Sequence, residues 1–171
     1  MVFSPDSKFI VASGVHNVYV WKMATGTLLT SDFSLASDVS SLGFTHDSAL
    51  LATGEKGWID LWSVKKFPQT YPSLGSATID ANINTLYDPV IFTTAFTPDN
   101  AIIAGGTTDN TIWLWNMNTF KKINVLHGSV HKSPINDLDD TDEVSFSPDG
   151  RELASLDDTG IVLLWAAHAT R

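Results

Sequence analysis

The sequence has no cysteine and few basic residues: only 10 of its 171 residues are lysine or arginine. Without thiols there can be no disulfides, thiolate metal sites or cysteine nucleophiles. The 19 acidic residues outnumber the basic ones and give a formal net charge of −9. We therefore expect neither nucleic acid nor an anionic membrane surface as a partner.

Long hydrophobic runs are also missing. Residues 1–6 lack the basic segment and apolar run of a signal peptide. The most apolar stretch, residues 161–167, is too short to cross a bilayer. We expect a cytoplasmic location on this basis, although the absence of cysteine is equally compatible with other compartments.

One pattern occurs four times along the chain. Each copy starts with Phe and Ser or Thr, continues through Pro or His to an Asp, and reaches a Trp 18 or 19 residues after the Phe. Such constant spacing predicts four structural units. The Phe–Trp pairs are Phe3 and Trp21, Phe44 and Trp62, Phe96 and Trp115, and Phe146 and Trp165. The turn aspartates are Asp6, Asp47, Asp99 and Asp149.

Each unit is predicted to contain three short strands separated by turns. The first strand ends at the Phe, and the Pro-Asp segment favours a tight turn. Aliphatic residues one and three positions before each Trp indicate a third strand with alternating faces. A fourth strand is predicted at 27–29 and 122–126, with a weaker candidate near Tyr71.

Four-stranded units of this length, each closed by a Trp, are typical of an all-β propeller. The predicted units are residues 1–32, 38–71, 90–126 and 142–171. Stacking such units side by side buries the Trp and aliphatic residues that one unit alone leaves exposed.

The repeats resemble those of the WD-repeat (WD40) propellers over nearly the whole chain. The resemblance rests on the Phe-Ser/Thr-Pro-Asp turn, on Ala-Ser/Thr-Gly at 12–14 and 52–54, and on the Ile/Val-x-Val/Leu-Trp strands. The repeats are degenerate, since no Trp is followed by Asp and no Gly-His pair precedes a first strand. The resemblance also implies an aspartate in the turn between the second and third strands, and such an aspartate is clear only at Asp109.

The resemblance implies a protein-interaction scaffold without catalytic activity. Because propellers of this family commonly have about seven blades, we expect these four to belong to a larger ring. The remaining blades would come from a longer chain or a second copy, and the alternative is a compact ring of four. Two other functions stay open, namely a regulatory or substrate-gating part of a larger enzyme or signalling NTPase, and an extracytoplasmic ligand-binding propeller.

The turn between the second and third strands is the predicted partner-binding surface, and the net charge favours a basic protein or peptide there. Trp113 is a further candidate, although packing against the next unit is the favoured interpretation of this residue. The predicted binding residues are Val15, His16, Glu55, Lys56, Asp109, Trp113 and Asp157.

No catalytic motif or cofactor motif is present in the sequence. The acidic segment 136–143 lacks the spacing of a calcium loop, and we expect a solvated loop there. His127 and His131 have no evident third ligand. We therefore predict neither a cofactor nor a metal site.

Overall fold

The strands of the computed structural model form four antiparallel sheets. The structure describes residues 1–14, 17–30, 35, 38–66, 73–78, 89–128 and 140–166. Sheet 1 contains β1 (Val2–Phe3), β2 (Phe9–Gly14), β3 (Asn17–Lys22) and β4 (Thr27–Thr30). Sheet 2 contains β5 (Ser41–Phe44), β6 (Leu50–Gly54), β7 (Trp58–Ser63) and β8 (Ser73–Thr78), with a 3-10 turn at Val64–Lys66. Sheet 3 contains β9 (Ile91–Phe96), β10 (Ile102–Thr107), β11 (Thr111–Asn116) and β12 (Lys121–His127). Sheet 4 contains β13 (Thr141–Phe146), β14 (Glu152–Asp157) and β15 (Val162–Ala166).

The turn between the first and second strands is built in the same way in each sheet. In sheet 3, Thr97 Oγ1 donates to Asp99 Oδ1 at 2.7 Å and accepts the N–H of Ile102 at 3.0 Å. The carboxylate also accepts the N–H of Ala101 at 3.0 Å, which closes the reversal. The fourth turn residue has a positive φ in every copy, at Ser7 (58°), Ser48 (58°), Asn100 (59°) and Gly150 (70°).

An aromatic row crosses each sheet because its members are paired in register. In sheet 2, Phe44 is opposite Leu51, and Leu51 is opposite Trp62. Side chains of directly paired residues point to the same face. We call these residues the aromatic rows: Phe3, Ile10 and Trp21; Phe44, Leu51 and Trp62; Phe96, Ile103 and Trp115; and Phe146, Leu153 and Trp165.

The opposite face of each sheet carries two aliphatic side chains of the third strand, which we call the aliphatic pair. These pairs are Val18 and Val20, Ile59 and Leu61, Ile112 and Leu114, and Val162 and Leu164. The aliphatic pair of one sheet packs against the aromatic row of the next, and this contact forms the three hydrophobic cores of the chain.

Neighbouring sheets therefore pack in sequence order, from sheet 1 to sheet 4. Their contacts are made mainly by the first strands, with β5 against β1 and β2, β9 against β5, and β13 against β9. Within the described part of the chain, sheets 1 and 4 do not pack together as neighbours do. Among the described residues, the four sheets therefore form an open series.

The predicted all-β fold with four repeated units is confirmed. One boundary needs correction, because the fourth strand of sheet 2 is Ser73–Thr78 and lies beyond the predicted end at residue 71. The described residues include no helix long and apolar enough to cross a membrane.

Candidate interaction surfaces

Asp109 lies exposed in the turn between β10 and β11 and is held there by two hydroxyls. Thr107 Oγ1 donates to Asp109 Oδ1 at 2.5 Å, and Thr111 Oγ1 donates to the same oxygen at 2.6 Å. Thr107 is itself fully buried at the end of its strand. The predicted surface position of Asp109 therefore agrees with the structure, and its carboxylate is fixed relative to the sheet.

Asp157 occupies a different position from the predicted one. It is buried, and its Oδ1 accepts the hydroxyl of Thr159 at 2.6 Å and the N–H groups of Thr159 and Ile161 at 3.1 and 2.9 Å. The side chain organises the turn between β14 and β15 and is not available to a partner at the surface. Asp109 is thus not the only aspartate that holds such a turn.

Glu55 is also wrongly predicted as a surface residue, since it is fully buried. Its backbone N–H donates to the carbonyl of Trp58 at 3.0 Å, and its carbonyl accepts the N–H of Ile91 at 3.1 Å. It therefore lies where the chain entering sheet 3 crosses the turn of sheet 2. Lys56 is exposed, and its backbone pairs with that of Val90 in an isolated antiparallel β-bridge.

Val15 and His16, the two candidates from the first unit, lie outside the described residues. The same holds for His131 and for residues 136–139, the first half of the acidic segment. In the described part of the chain, no group of three or more His, Cys, Asp or Glu side chains is placed to hold a metal ion.

Trp113 is packed into the protein rather than presented to solvent. Its ring stacks on Trp115 with centroids 6.4 Å apart, and its Nε1 donates to Thr111 Oγ1 at 2.9 Å. Lys122 Nζ lies 4.2 Å from the ring centroid, a cation–π geometry. Trp113 is therefore packed as the favoured interpretation expected, but it belongs to the core between sheets 2 and 3 and packs against the preceding unit, not the next one.

The end of the sheets that carries the turns between second and third strands is strongly acidic. Among the described residues, exposed aspartates lie there in or beside sheets 2, 3 and 4, together with exposed Lys56. These aspartates are Asp38, Asp109, Asp142 and Asp158. Of these aspartates only Asp109 was predicted as a binding residue, since Asp158 shares its turn with the predicted Asp157, and Asp38 and Asp142 lie beside first strands.

The opposite end has a balanced charge. Its four turn aspartates are accompanied by Lys8, Lys22, Lys65, Lys121 and Arg151, all exposed. Hydrogen bonds from the turn hold the pKa of each aspartate below its usual value. The largest cause is the side chain of Lys8 for Asp6, of Thr45 for Asp47, of Thr97 for Asp99 and of Ser147 for Asp149.

The indole N–H groups of the aromatic rows have different partners. Trp62 Nε1 donates to Thr53 Oγ1 at 3.0 Å, and Trp165 Nε1 donates to Ser155 Oγ at 3.1 Å. At the equivalent position of sheet 3 the residue is Gly105, and Trp115 Nε1 is buried with no acceptor among the described residues. Two of the repeats thus keep a buried polar pair that the degenerate motifs did not predict.

Two apolar sheet faces are left uncovered, one at each end of the series. Phe3 of the first aromatic row is 55% exposed, whereas the equivalent Phe44 and Phe96 are 8% and 5% exposed. In sheet 4 the aliphatic pair is open to solvent, with Val162 60% and Leu164 69% exposed. Among the described residues, these two apolar faces are exposed, and the sequence alone did not distinguish them from their covered equivalents.

Repeated four-stranded sheets stacked through aromatic rows define a β-propeller class of protein, and the comparisons agree. The family model "WD domain, G-beta repeat" matches residues 81–116 and 120–166. The family-model matches and the curated relatives support assignment of the chain to the WD-repeat family.

Relatives of the chain are WD-repeat proteins of greater length. The chain is 25% identical over 174 residues to Periodic tryptophan protein 2 of Arabidopsis thaliana, covering 100% of this chain and 17% of that protein. It is 26% identical to the Serine-threonine kinase receptor-associated protein of Dictyostelium discoideum, covering 86% of this chain and 43% of that one. It is 37% identical to WD repeat-containing protein 18 of Bos taurus over 41% of this chain and 16% of that one. The chain therefore spans less than half the length of these relatives.

Proposed function

We propose that the chain is a non-catalytic scaffold that binds protein partners through the acidic end of its sheets. WD-repeat relatives support an interaction role in general. The observation that carries the finer proposal is the charge difference between the two ends. Exposed carboxylates dominate the end with the turns between second and third strands, whereas lysine and arginine balance the aspartates at the other end.

The scaffold holds the carboxylate of Asp109 and the backbone of Asp158 in fixed positions. Asp109 is tied by the hydroxyls of Thr107 and Thr111. The backbone N–H of Asp158 donates to the carbonyl of Asp140 at 3.2 Å, which joins the last turn to the strand entry beside it. Rigid presentation lowers the conformational entropy that a partner must remove on binding.

A basic partner suits this surface. Complementary charge accelerates encounter and fixes orientation, and its contribution weakens as salt screens exposed charges. We therefore expect partners with lysine- or arginine-rich contact surfaces, whose binding falls as ionic strength rises.

The test is affinity purification of the tagged 171-residue chain, with quantification of the proteins that co-purify. The variant carries Asp142→Lys and Asp158→Lys, both exposed at the acidic end. Glu152→Lys supplies a control charge reversal at the other end of the same sheet. We expect wild type to co-purify a reproducible set of partners. The yield of these partners should fall roughly tenfold with the double variant and should be unchanged with the control.

Two results would contradict the proposal. Equal capture by wild type, double variant and control would show that the acidic end is not the binding surface. Absence of any enrichment over the tag alone would argue against a scaffold role for this chain.

A further inference from the structure

The three junctions between sheets follow one rule, and that rule defines what could cover the two open faces. At each junction the aliphatic pair of the earlier sheet lies against the aromatic row of the later one. Ile59 and Ile112 are fully buried in this way. Val162, which occupies the same position three residues before the Trp, is 60% exposed because no sheet follows it in the described chain.

The other open face is the missing half of the same junction. The first aromatic row, Phe3, Ile10 and Trp21, points away from sheet 2, because the aliphatic pair of sheet 1 takes up that contact. Leu28 extends the row as the register partner of Trp21, and it is exposed. One end of the chain thus presents an unused aliphatic pair, and the other presents an unused aromatic row.

One polar contact between turns, which occurs at the first junction, suggests how a hydrogen bond could also join the two open ends. Asp6 of sheet 1 donates its backbone N–H to Ser48 Oγ of sheet 2 at 3.0 Å. Asp149 of sheet 4 occupies the position of Asp6 and also follows a proline. Ser7 of sheet 1 occupies the position of Ser48, has the same φ of 58°, and is exposed.

We propose that the partner of these two faces is a second copy of this chain, docked head to tail. The aromatic row of one copy covers the aliphatic pair of the other, and Ser7 Oγ of the first accepts the N–H of Asp149 of the second. The contact continues the junction that the chain already forms three times. A head-to-tail contact closes into a ring if its rotation allows, and two copies would place eight sheets in that ring, within the known range of about 4–8.

The chemistry of this contact separates it from the acidic binding surface. Both copies carry a net charge of −9, so screening by salt reduces their repulsion while the apolar burial persists. Self-association should therefore strengthen as ionic strength rises, whereas binding of a basic partner should weaken.

The test measures molar mass by light scattering over a dilution series. Leu164→Glu and Phe3→Glu each place a charge on one of the open faces, and both residues are exposed within one copy, so the fold of that copy should persist. We expect wild type to associate and either variant to weaken association on the order of a hundredfold, since a buried unpaired charge is costly. Ile123→Glu, on the exposed outer strand β12, is the matched control and should associate like wild type.

Mixing the two variants tests the head-to-tail geometry. The Phe3→Glu copy keeps an intact aliphatic pair, and the Leu164→Glu copy keeps an intact aromatic row. The mixture should therefore regain a one-to-one complex that neither variant forms alone. A wild-type chain that is monomeric at every concentration, variants that associate like wild type, or a mixture that stays monomeric would overturn the proposal.

Discussion

The hydroxyl of Ser48 in sheet 2 accepts the backbone N–H of Asp6 in sheet 1 at 3.0 Å. The next junction has an analogous contact, in which Asn100 Oδ1 accepts the N–H of His46 at 2.8 Å. Both acceptors are turn residues with positive φ. The junctions between sheets thus combine apolar burial with a hydrogen bond at the turns.

The third junction lacks an acceptor side chain at this position, and it also lacks the N–H that His46 donates at the second junction. Pro98 has no N–H, and the residue opposite it is Gly150, where an added Cβ would lie 3.3 Å from Pro98 Cδ. We predict that Pro98→Ala together with Gly150→Asn recreates the contact of His46 and Asn100. A double-mutant cycle measures the free energy of unfolding in urea for each variant. The value for the double variant should exceed, by about 1 kcal/mol, the value expected from adding the effects of the two single changes. Strict additivity would contradict this prediction.

Thr53→Val should destabilise the protein by roughly 1–3 kcal/mol. The change keeps the shape of the side chain but removes the buried hydroxyl that accepts the hydrogen bond of Trp62 Nε1. Chemical denaturation measures the loss, and Thr119→Val at an exposed turn position is the control. The assigned role of Thr53 would be wrong if both variants lost the same stability.

Gly105→Ser should supply the missing acceptor for Trp115 Nε1. An added Cβ would lie 3.2 Å from Ile59 Cδ1, so the gain is opposed by close packing. Ile59→Val removes that methyl group. We therefore expect the change in the free energy of unfolding caused by Gly105→Ser to be more favourable, by about 1 kcal/mol, in the Ile59→Val background than in wild type. Equal effects in the two backgrounds, measured by thermal unfolding, would exclude this account of the packing.

Acid should weaken the turns between first and second strands. Their aspartates have folded-state pKa values below the ordinary 3.8, so the unfolded chain binds protons first as the pH falls. The stabilisation is complete above about pH 5 and is lost as the pH falls below 3.8 through the folded-state values. The variant with Asp47→Asn and Asp99→Asn can keep the accepting oxygens without titrating there.

Urea midpoints at pH 6 and pH 3 test this pH dependence. The double asparagine variant should lose less stability on acidification than wild type does. An identical loss in the two proteins would show that these turn carboxylates do not contribute to the acid sensitivity.

The repeat spacing was sufficient to predict the four sheets and their aromatic rows. The Phe and the Trp of each unit define the ends of its first and third strands, and alternation gives the face of each side chain. The same alternation contained the signal that was missed at the predicted binding turn. Leu51, Thr53 and Glu55 share one face of β6 and its extension, and Leu51 and Thr53 are fully buried on that face, as Glu55 is. Leu153, Ser155 and Asp157 do the same in sheet 4.

The contacts between sheets were beyond the reach of local patterns. Asp6 and Ser48 are 42 residues apart, and His46 and Asn100 are 54 apart. Their pairing depends on how one sheet is placed against the next. For the same reason, the exposure of Phe3, Val162 and Leu164 could not be separated from the burial of their equivalents in the other repeats.

The most direct test of the central claim compares side-chain accessibility at equivalent positions of the repeats. Hydroxyl-radical footprinting of the Leu164→Glu variant, at a dilution where it is monomeric, reports on Phe3, Phe44 and Phe96 in one experiment. The structure predicts rapid modification of Phe3 and strong protection of Phe44 and Phe96, following exposures of 55%, 8% and 5%. Equal modification of the three phenylalanines would contradict the rule that each aromatic row is covered by the sheet before it.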